Sequence, residues 1–212
     1  PGDKVIVFSP FYENYGADAI LSGAEPIYIP LVPPAFDFDR AALEDAFRQG
    51  AKAIIVCNPS NPTGKVFTRE ELEYIGALPG MWNRTLSCSS LSKTYSITGW
   101  RLGYLIGPAE VIEHAKKVHD FLTVGAPAPL QEAACVGVRF PQSYYKELTA
   151  LYTRKRDVFL AGLDRLGLKH NVPQGTYFVL LDISDFLALD RFRGWSDLEF
   201  CEWMIREIGV AA

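Results

Sequence analysis

What this sequence lacks rules out several chemistries before any motif is read. It has four cysteines in 212 residues, Cys57, Cys88, Cys135 and Cys201, and no Cys-x-x-Cys pair among them. The three histidines do not cluster with those cysteines. Neither a zinc site nor a disulfide framework is indicated, and the expected setting is reducing and cytoplasmic. Excess positive charge is also absent. The net charge is −4, which argues against nucleic acid or an anionic membrane as the main partner. No apolar run approaches the roughly 18 residues of a membrane-spanning helix. The first residues show no charged-then-apolar leader, so secretion is not expected. There is no Walker loop, no Gly-x-Gly-x-x-Gly fingerprint, no internal repeat and no low-complexity segment. An initiator methionine is missing too, and "PGDKVIVF" at the start and "REIGVAA" at the end both read as cut edges.

What is present is an ordinary soluble composition, 49% apolar and 22% charged. The length suits one large domain or slightly more, and a chain of this size buries about 70% of its unfolded surface without staples. Short apolar runs bounded by turn residues predict buried strands at 4–8, 25–31 and 51–57. Helices are predicted at 15–23, closed by Gly23, and at 39–50, where an Asp cap and a terminal Gly frame the apolar period. Helix 68–78 opens with a capping box, Thr68 to Glu71. "NPSNPTG" (58–64) is a loop, because two prolines and a glycine break any ladder or helix. Strands "RTLSCSS" and "GYLIG" flank the segment around Lys93. Helical patterns cover 109–122, 128–139 and a long stretch near 142–166. A strand is predicted at 176–183 and a last helix at 197–209. Strand–helix alternation over 1–140 implies a parallel sheet with helices on both faces. The long helix then leads to a smaller second domain.

In open α/β sheets, ligands sit beyond the carboxyl ends of the strands. Three polar segments fall there: "SPFYENY", "NPSNPTG" and "SSLSK". Lys93 stands out in the last. Most lysines are solvated surface residues, but Lys93 lies among Ser89, Ser90, Ser92 and Thr94 between two apolar strands. A lysine partly desolvated at a strand end can attack carbonyls. A Ser-x-x-Lys acyl enzyme with Ser90 as nucleophile is the rival, but its Lys-Thr-Gly and Ser-Asp-Asn partners are missing, and "SYYK" at 143–146 matches the short motif equally well. Arg101 alone would be a surface ion-pair former. With Ser90 it makes a phosphate clamp, a guanidinium fork plus a hydroxyl donor. Phosphate plus a reactive lysine points to pyridoxal 5'-phosphate. Asn61 is a turn residue or a ligand, in a loop whose Asn61–Pro62 bond, and Ser9–Pro10 with it, is a candidate cis peptide. Tyr12, an aromatic past a strand end, packs in the core or stacks on a flat ring.

"SLSKTYSITGWRLGY" together with "NPSNPTG" resembles the class I/II aminotransferases, fold-type-I pyridoxal-phosphate-dependent transferases. "PGDKVIVFSPFYENY" and "GTYFVLLDIS" look like further family segments, so the resemblance runs along essentially the whole chain. It implies an α/β fold, a mainly parallel sheet sandwiched by helices, with residues 1–141 a partial cofactor-binding large domain. Residues 142–212 would be the interdomain helix and part of a small α+β domain. It implies that Lys93 is the catalytic lysine, bonded to the cofactor and shuttling a proton between Cα and C4'. Ser90 and Arg101 would hold the phosphate. Asn61 would bond the ring's phenolic oxygen or a substrate carboxylate, and Tyr12 would stack on the pyridine. The implied reaction moves an amino group from an amino acid to a 2-oxo acid, in a cytoplasmic homodimer. A carbon–sulfur lyase of the same fold and a non-catalytic remnant are the alternatives.

The departures from the family are specific. It places a further strand ending in Asp-x-x-Tyr between the Asn-Pro-Thr-Gly loop and the lysine, the Asp keeping the pyridine nitrogen protonated. Residues 65–92 of this chain contain no aspartate, and helix 68–78 runs straight into "PGMWNRT". A helix–strand–loop unit of about 30 residues is missing there. The family's Gly-rich phosphate loop and its C-terminal arginine for the substrate carboxylate also fall outside this sequence. The chain reads as an incomplete member.

Overall fold

The computed structural model describes residues 1–76, 83 and 85–211. The 78–79 junction, where the missing unit would belong, lies outside them. The chain forms two compact units, one of residues 1–67 with 152–212 and one of residues 68–151.

In the first unit the apolar runs become β1 (Lys4–Ser9), β2 (Glu25–Val32) and β4 (Ala51–Ile55), with a short β3 (Asp37–Phe38) between the last two. The sheet order is β3-β2-β1-β4. β1 pairs parallel with both β2 and β4, and β3 pairs antiparallel with β2. β1 is thus central, which is why Ile6 and Val7 are fully buried. Parallel neighbours need crossovers. α1 (Asn14–Leu21) joins β1 to β2, and α2 (Arg40–Arg48) lies between β3 and β4. α2 starts where the sequence places its cap, since Asp39 Oδ1 accepts from Ala41 N at 2.8 Å. It buries Leu43 and Ala46, three residues apart on one face. Phe8, Phe38 and Phe67 close the core, with centroids 5.1 to 6.4 Å apart.

The same unit takes in the second half of α6 (Gln142–Arg165), which buries Leu160 and Leu163. α7 (Ser184–Leu187) and α8 (Asp197–Trp203) follow. A capping box of Ser196 and Glu199 starts α8, and Phe192, Phe200 and Trp203 pack at 4.8 to 5.6 Å. The strand expected at 176–183 does not form. One antiparallel bridge, His170 with Leu181, stands in its place. Thr176 sits at φ 65°, and Pro173 has no N–H to donate, so the segment opposite cannot extend into a ladder.

The second unit holds α3 (Arg69–Gly76), β5 (Ser87–Ser90), β6 (Gly103–Ile106), α4 (Ala109–Thr123), α5 (Ala128–Val138) and the start of α6. The capping box on α3 is present, with Thr68 N donating to Glu71 Oε2 at 2.8 Å and Glu71 N to Thr68 Oγ1 at 3.1 Å. β5 and β6 do not join the parallel sheet. They pair antiparallel with each other, and all eight of their residues are exposed. The loop between them returns the chain on itself, and local antiparallel pairing needs no crossover. Among the described residues no helix is long and apolar enough to cross a membrane.

Candidate active site

The Lys93 loop grows out of the β5–β6 ribbon. Ser90 pairs with Gly103, and Leu91 N extends the ladder to Leu102 O at 3.1 Å. Gly103 is required by close approach, because a Cβ there would stand 2.8 Å from Ser89 O. Ser92 and Leu102 are buried at the root of the loop. Beyond them the chain turns, with Ile97 N donating to Ser92 O at 2.9 Å. Ser90 Oγ accepts from Ser92 N at 3.1 Å.

Thr98 ties the two cations together. Lys93 Nζ donates to Thr98 Oγ1 at 3.4 Å, and Arg101 Nη1 donates to Thr98 O at 3.1 Å. Arg101 adopts a left-handed backbone, φ 55° and ψ 46°, which costs a side-chain-bearing residue roughly 1–2 kcal/mol. Neither Lys93 nor Arg101 has a carboxylate partner among the described residues. Ser90, Ser92, Arg101 and Gly103 line a shallow depression of about 390 Å³, and Lys93 is outside that lining. Lys93 is exposed rather than partly desolvated, because the strands that flank it are themselves open to solvent.

Tyrosines hold the far side of the loop. Tyr144 Oη donates to Thr94 O at 2.6 Å, and the hydroxyls of Tyr95 and Tyr145 share a hydrogen bond of 2.8 Å. The bond to Tyr145, with burial behind it, pushes the Tyr95 phenol up to about 12.

In the first unit, "NPSNPTG" folds as a compact loop. Ser60 N donates to Lys65 O at 2.8 Å and Gly64 N to Ser60 O at 2.9 Å. The bonds Ser9–Pro10, Pro33–Pro34, Asn58–Pro59 and Asn61–Pro62 are cis, two of them as the sequence suggests. Gly64 has φ 70°, and a Cβ on it would overlap Pro173. The segment after α6 clamps this loop. Asn171 Nδ2 donates to Thr63 O at 2.6 Å, Val66 N donates to Gln174 Oε1 at 2.9 Å, and Gly64 O accepts from Gln174 N and Gly175 N at 2.9 Å. Asn61 lines a water-sized cavity of about 10 Å³ past the ends of β1 and β4, with Tyr15, Cys57 and Ser60. Tyr12 is exposed and meets Tyr15 edge to face at 5.8 Å.

The structure therefore gathers Ser90, Lys93 and Arg101 on one loop of the second unit and sets Asn61 and Tyr12 in the first. Sequence reasoning missed Thr98, Tyr144 and Tyr145. Thr98 carried a signal, a hydroxyl five residues beyond the lysine. The tyrosines carried none, because their contacts span 50 residues.

Comparison with known proteins bears on this geometry. The family described as aminotransferase class I and II matches residues 1–79 and 76–212. Human kynurenine–oxoglutarate transaminase 1 is 31% identical, with 100% of this chain aligned to 63% of its own length. Kynurenine–oxoglutarate transaminase 3 of Mus musculus is 34% identical over 100% of this chain and 58% of its own. Among solved structures, N-succinyldiaminopimelate aminotransferase from Mycobacterium tuberculosis superposes with TM-score 0.88 at 29% identity, covering 100% of this chain and 62% of its own. An Escherichia coli protein with a methionine aminotransferase function gives 0.86 at 30% identity, over 100% and 62%. The chain thus spans about three fifths of the length of these relatives. The alignment with the human protein runs over 267 positions for a chain of 212 residues, so at least 55 positions find no residue here. The two family stretches meet at 76–79.

Proposed function

Because the chain belongs to the aminotransferase class I and II family, we propose that it forms part of a pyridoxal-phosphate-dependent enzyme moving an amino group from an amino acid to a 2-oxo acid. The observation that carries the proposal is the Lys93 loop, where a hydroxyl and two cations without carboxylate partners among the described residues share twelve residues of chain. That donor set fits the cofactor. Arg101 and Ser90 can bind a phosphate through charge-assisted and hydroxyl hydrogen bonds, and Lys93 supplies the amine for an aldehyde.

When bound, the cofactor supplies the electron sink for the chemistry at the amino acid's Cα. This chain's residues orient and protonate. Lys93 Nζ is the group to take and return the Cα proton, and Thr98 Oγ1 holds it within the loop. Asn61 would bond a phenolic oxygen or a substrate carboxylate, and Tyr12 would stack on the ring. A homodimer and a cytoplasmic setting belong to the same reading. Four free thiols support the latter.

A second reading has its own support. With no aspartate in residues 65–92, two family stretches that meet at 76–79 and at least 55 aligned positions of a relative without a residue here, this chain would bind the cofactor with little turnover. The test incubates the chain with pyridoxal phosphate and a panel of amino acids, starting with kynurenine because of the relatives' names, and identifies the products. A 2-oxo acid without ammonia or thiol supports amino transfer. Ammonia with a thiol would mark a carbon–sulfur lyase. Failure of the chain to bind pyridoxal phosphate would reject both readings.

A further inference from the structure

We propose that Tyr144, at the start of α6, is a positioning residue for Lys93, acting through the carbonyl of Thr94 with Tyr95 and Tyr145 as its support. The proposal rests on the reading of Lys93 as the cofactor-bonding lysine. Two consecutive residues after Lys93 are anchored by two consecutive residues of α6. Tyr144 Oη donates to Thr94 O at 2.6 Å, and Tyr145 Oη meets Tyr95 Oη at 2.8 Å. Both distances lie in the ordinary range for hydroxyl hydrogen bonds. The rings add a second constraint. Tyr95 stacks on Tyr144 at 6.1 Å and 15°, and Phe140 packs on Tyr144 at 4.8 Å. Gly137 of α5 makes room, since a Cβ there would come within 3.1 Å of the Tyr95 ring.

The rest of the loop gives this side little hold. Tyr95 N to Leu91 O and Ser96 N to Lys93 O are both 3.3 Å, at the weak end for N–H···O bonds. Ser96 stands at φ 56°, in the left-handed region. Lys93 itself is exposed, with a 3.4 Å contact to Thr98. The point from which its side chain starts is set by the backbone, and the tyrosines fix the backbone just after it. The Tyr95 phenol, pushed up to about 12 by its bond to Tyr145, keeps its proton across the neutral range.

The test uses the full 212-residue chain with Tyr144→Phe, which keeps the ring and removes the hydroxyl, Tyr145→Phe as a second variant, and Tyr152→Phe, further along α6, as control. Amide exchange is measured at residues 94–97 without cofactor. Pyridoxal phosphate at sub-saturating concentration is then trapped with borohydride, and the label on Lys93 is compared with that on Lys116 and Lys117. Losing one hydrogen bond predicts roughly fivefold faster exchange and a comparable fall in the Lys93 share for Tyr144→Phe. Tyr145→Phe should show a smaller effect of the same sign, and Tyr152→Phe none. Unchanged exchange, or faster exchange with an unchanged Lys93 share, overturns the positioning role. A label that avoids Lys93 in the unaltered chain rejects the reading of Lys93, and the positioning role falls with it. The exchange data separate that outcome from failure of the anchor.

Discussion

Arg101 offers a prediction in which stability and cofactor affinity move apart. Its φ of 55° places an ordinary side chain in the left-handed region, at a cost of roughly 1–2 kcal/mol that glycine does not incur. Glycine loses about 0.4–1 kcal/mol more unfolded-state entropy than alanine on folding. Both Arg101→Ala and Arg101→Gly remove the bond from Nη1 to Thr98 O, so that loss cancels between them. Arg101→Gly should therefore be more stable than Arg101→Ala by about 0.5–1 kcal/mol, or roughly 1–4 °C in melting temperature for a chain of this size. Cofactor affinity should not follow. Both variants lose a charge-assisted phosphate contact worth about 1.5–3 kcal/mol, which is roughly 10- to 150-fold in Kd. Lys116→Ala is the control, because Lys116 is an exposed partner of Glu113 at 2.7 Å, and such pairs contribute at most about 1 kcal/mol. Thermal unfolding and fluorescence titration with pyridoxal phosphate measure the two quantities. Equal melting temperatures for the two Arg101 variants would refute the backbone argument, and affinities equal to that of Lys116→Ala would refute the phosphate role.

Other perturbations test other joints. Gly103→Ala should destabilise by about 1–3 kcal/mol, because its Cβ would press on Ser89 O; urea unfolding of the second unit, followed by exchange at 87–106, reads this. Asn171→Ala removes the donor to Thr63 O and the acceptor of Leu180 N, so exchange in 60–67 should accelerate while β1 stays protected, and unchanged protection would count against the clamp. His170 has Nδ1 against Asn171 O at 2.8 Å and Nε2 against Asp164 Oδ1 at 3.1 Å. The Asn171 carbonyl first, and then Asp164, raise its pKa above the usual imidazole value against the opposing effect of burial. The stabilisation from this pair is complete below the unfolded pKa of about 6.5 and is lost as pH rises through the raised folded value; the melting-temperature gap to His170→Gln should therefore shrink between acid and alkaline pH, and a constant gap would contradict it. Finally, grafting an Asp-x-x-Tyr strand at 76–79 should raise turnover by roughly two to four decades, the equivalent of the about 3–5 kcal/mol attached to a missing buried charge partner; a graft without effect in single-turnover assays would reject the missing-carboxylate explanation.

The parts of the fold that the sequence made legible are local. β1, β2 and β4 are apolar runs with turn residues at their ends, the caps at Asp39 and Thr68 are read within three residues, and Ser90, Lys93 and Arg101 sit within twelve. What escaped is non-local. Nothing in "SCSS" and "GYLI" says that these strands pair with each other rather than with a parallel neighbour, because periodicity carries no partner identity. "TYFVLLDI" has strand composition, yet its single bridge to His170 shows that composition without neighbours to pair with does not make a strand. The tyrosines of α6 were visible only as residues of a long helix. Their contact with the Lys93 loop depends on how the second unit folds, and the clamp of Asn171 on Thr63 depends on how the first does.

The central claim is that Lys93 is the cofactor-bonding lysine of a loop built to hold a phosphate. The most direct measurement is borohydride reduction of the chain after loading with pyridoxal phosphate, followed by peptide mapping. The account predicts one dominant adduct, on Lys93, competed away by excess inorganic phosphate and strongly reduced in Arg101→Ala. An adduct spread evenly over the surface lysines, or one on Lys93 indifferent to phosphate and to Arg101, would contradict it.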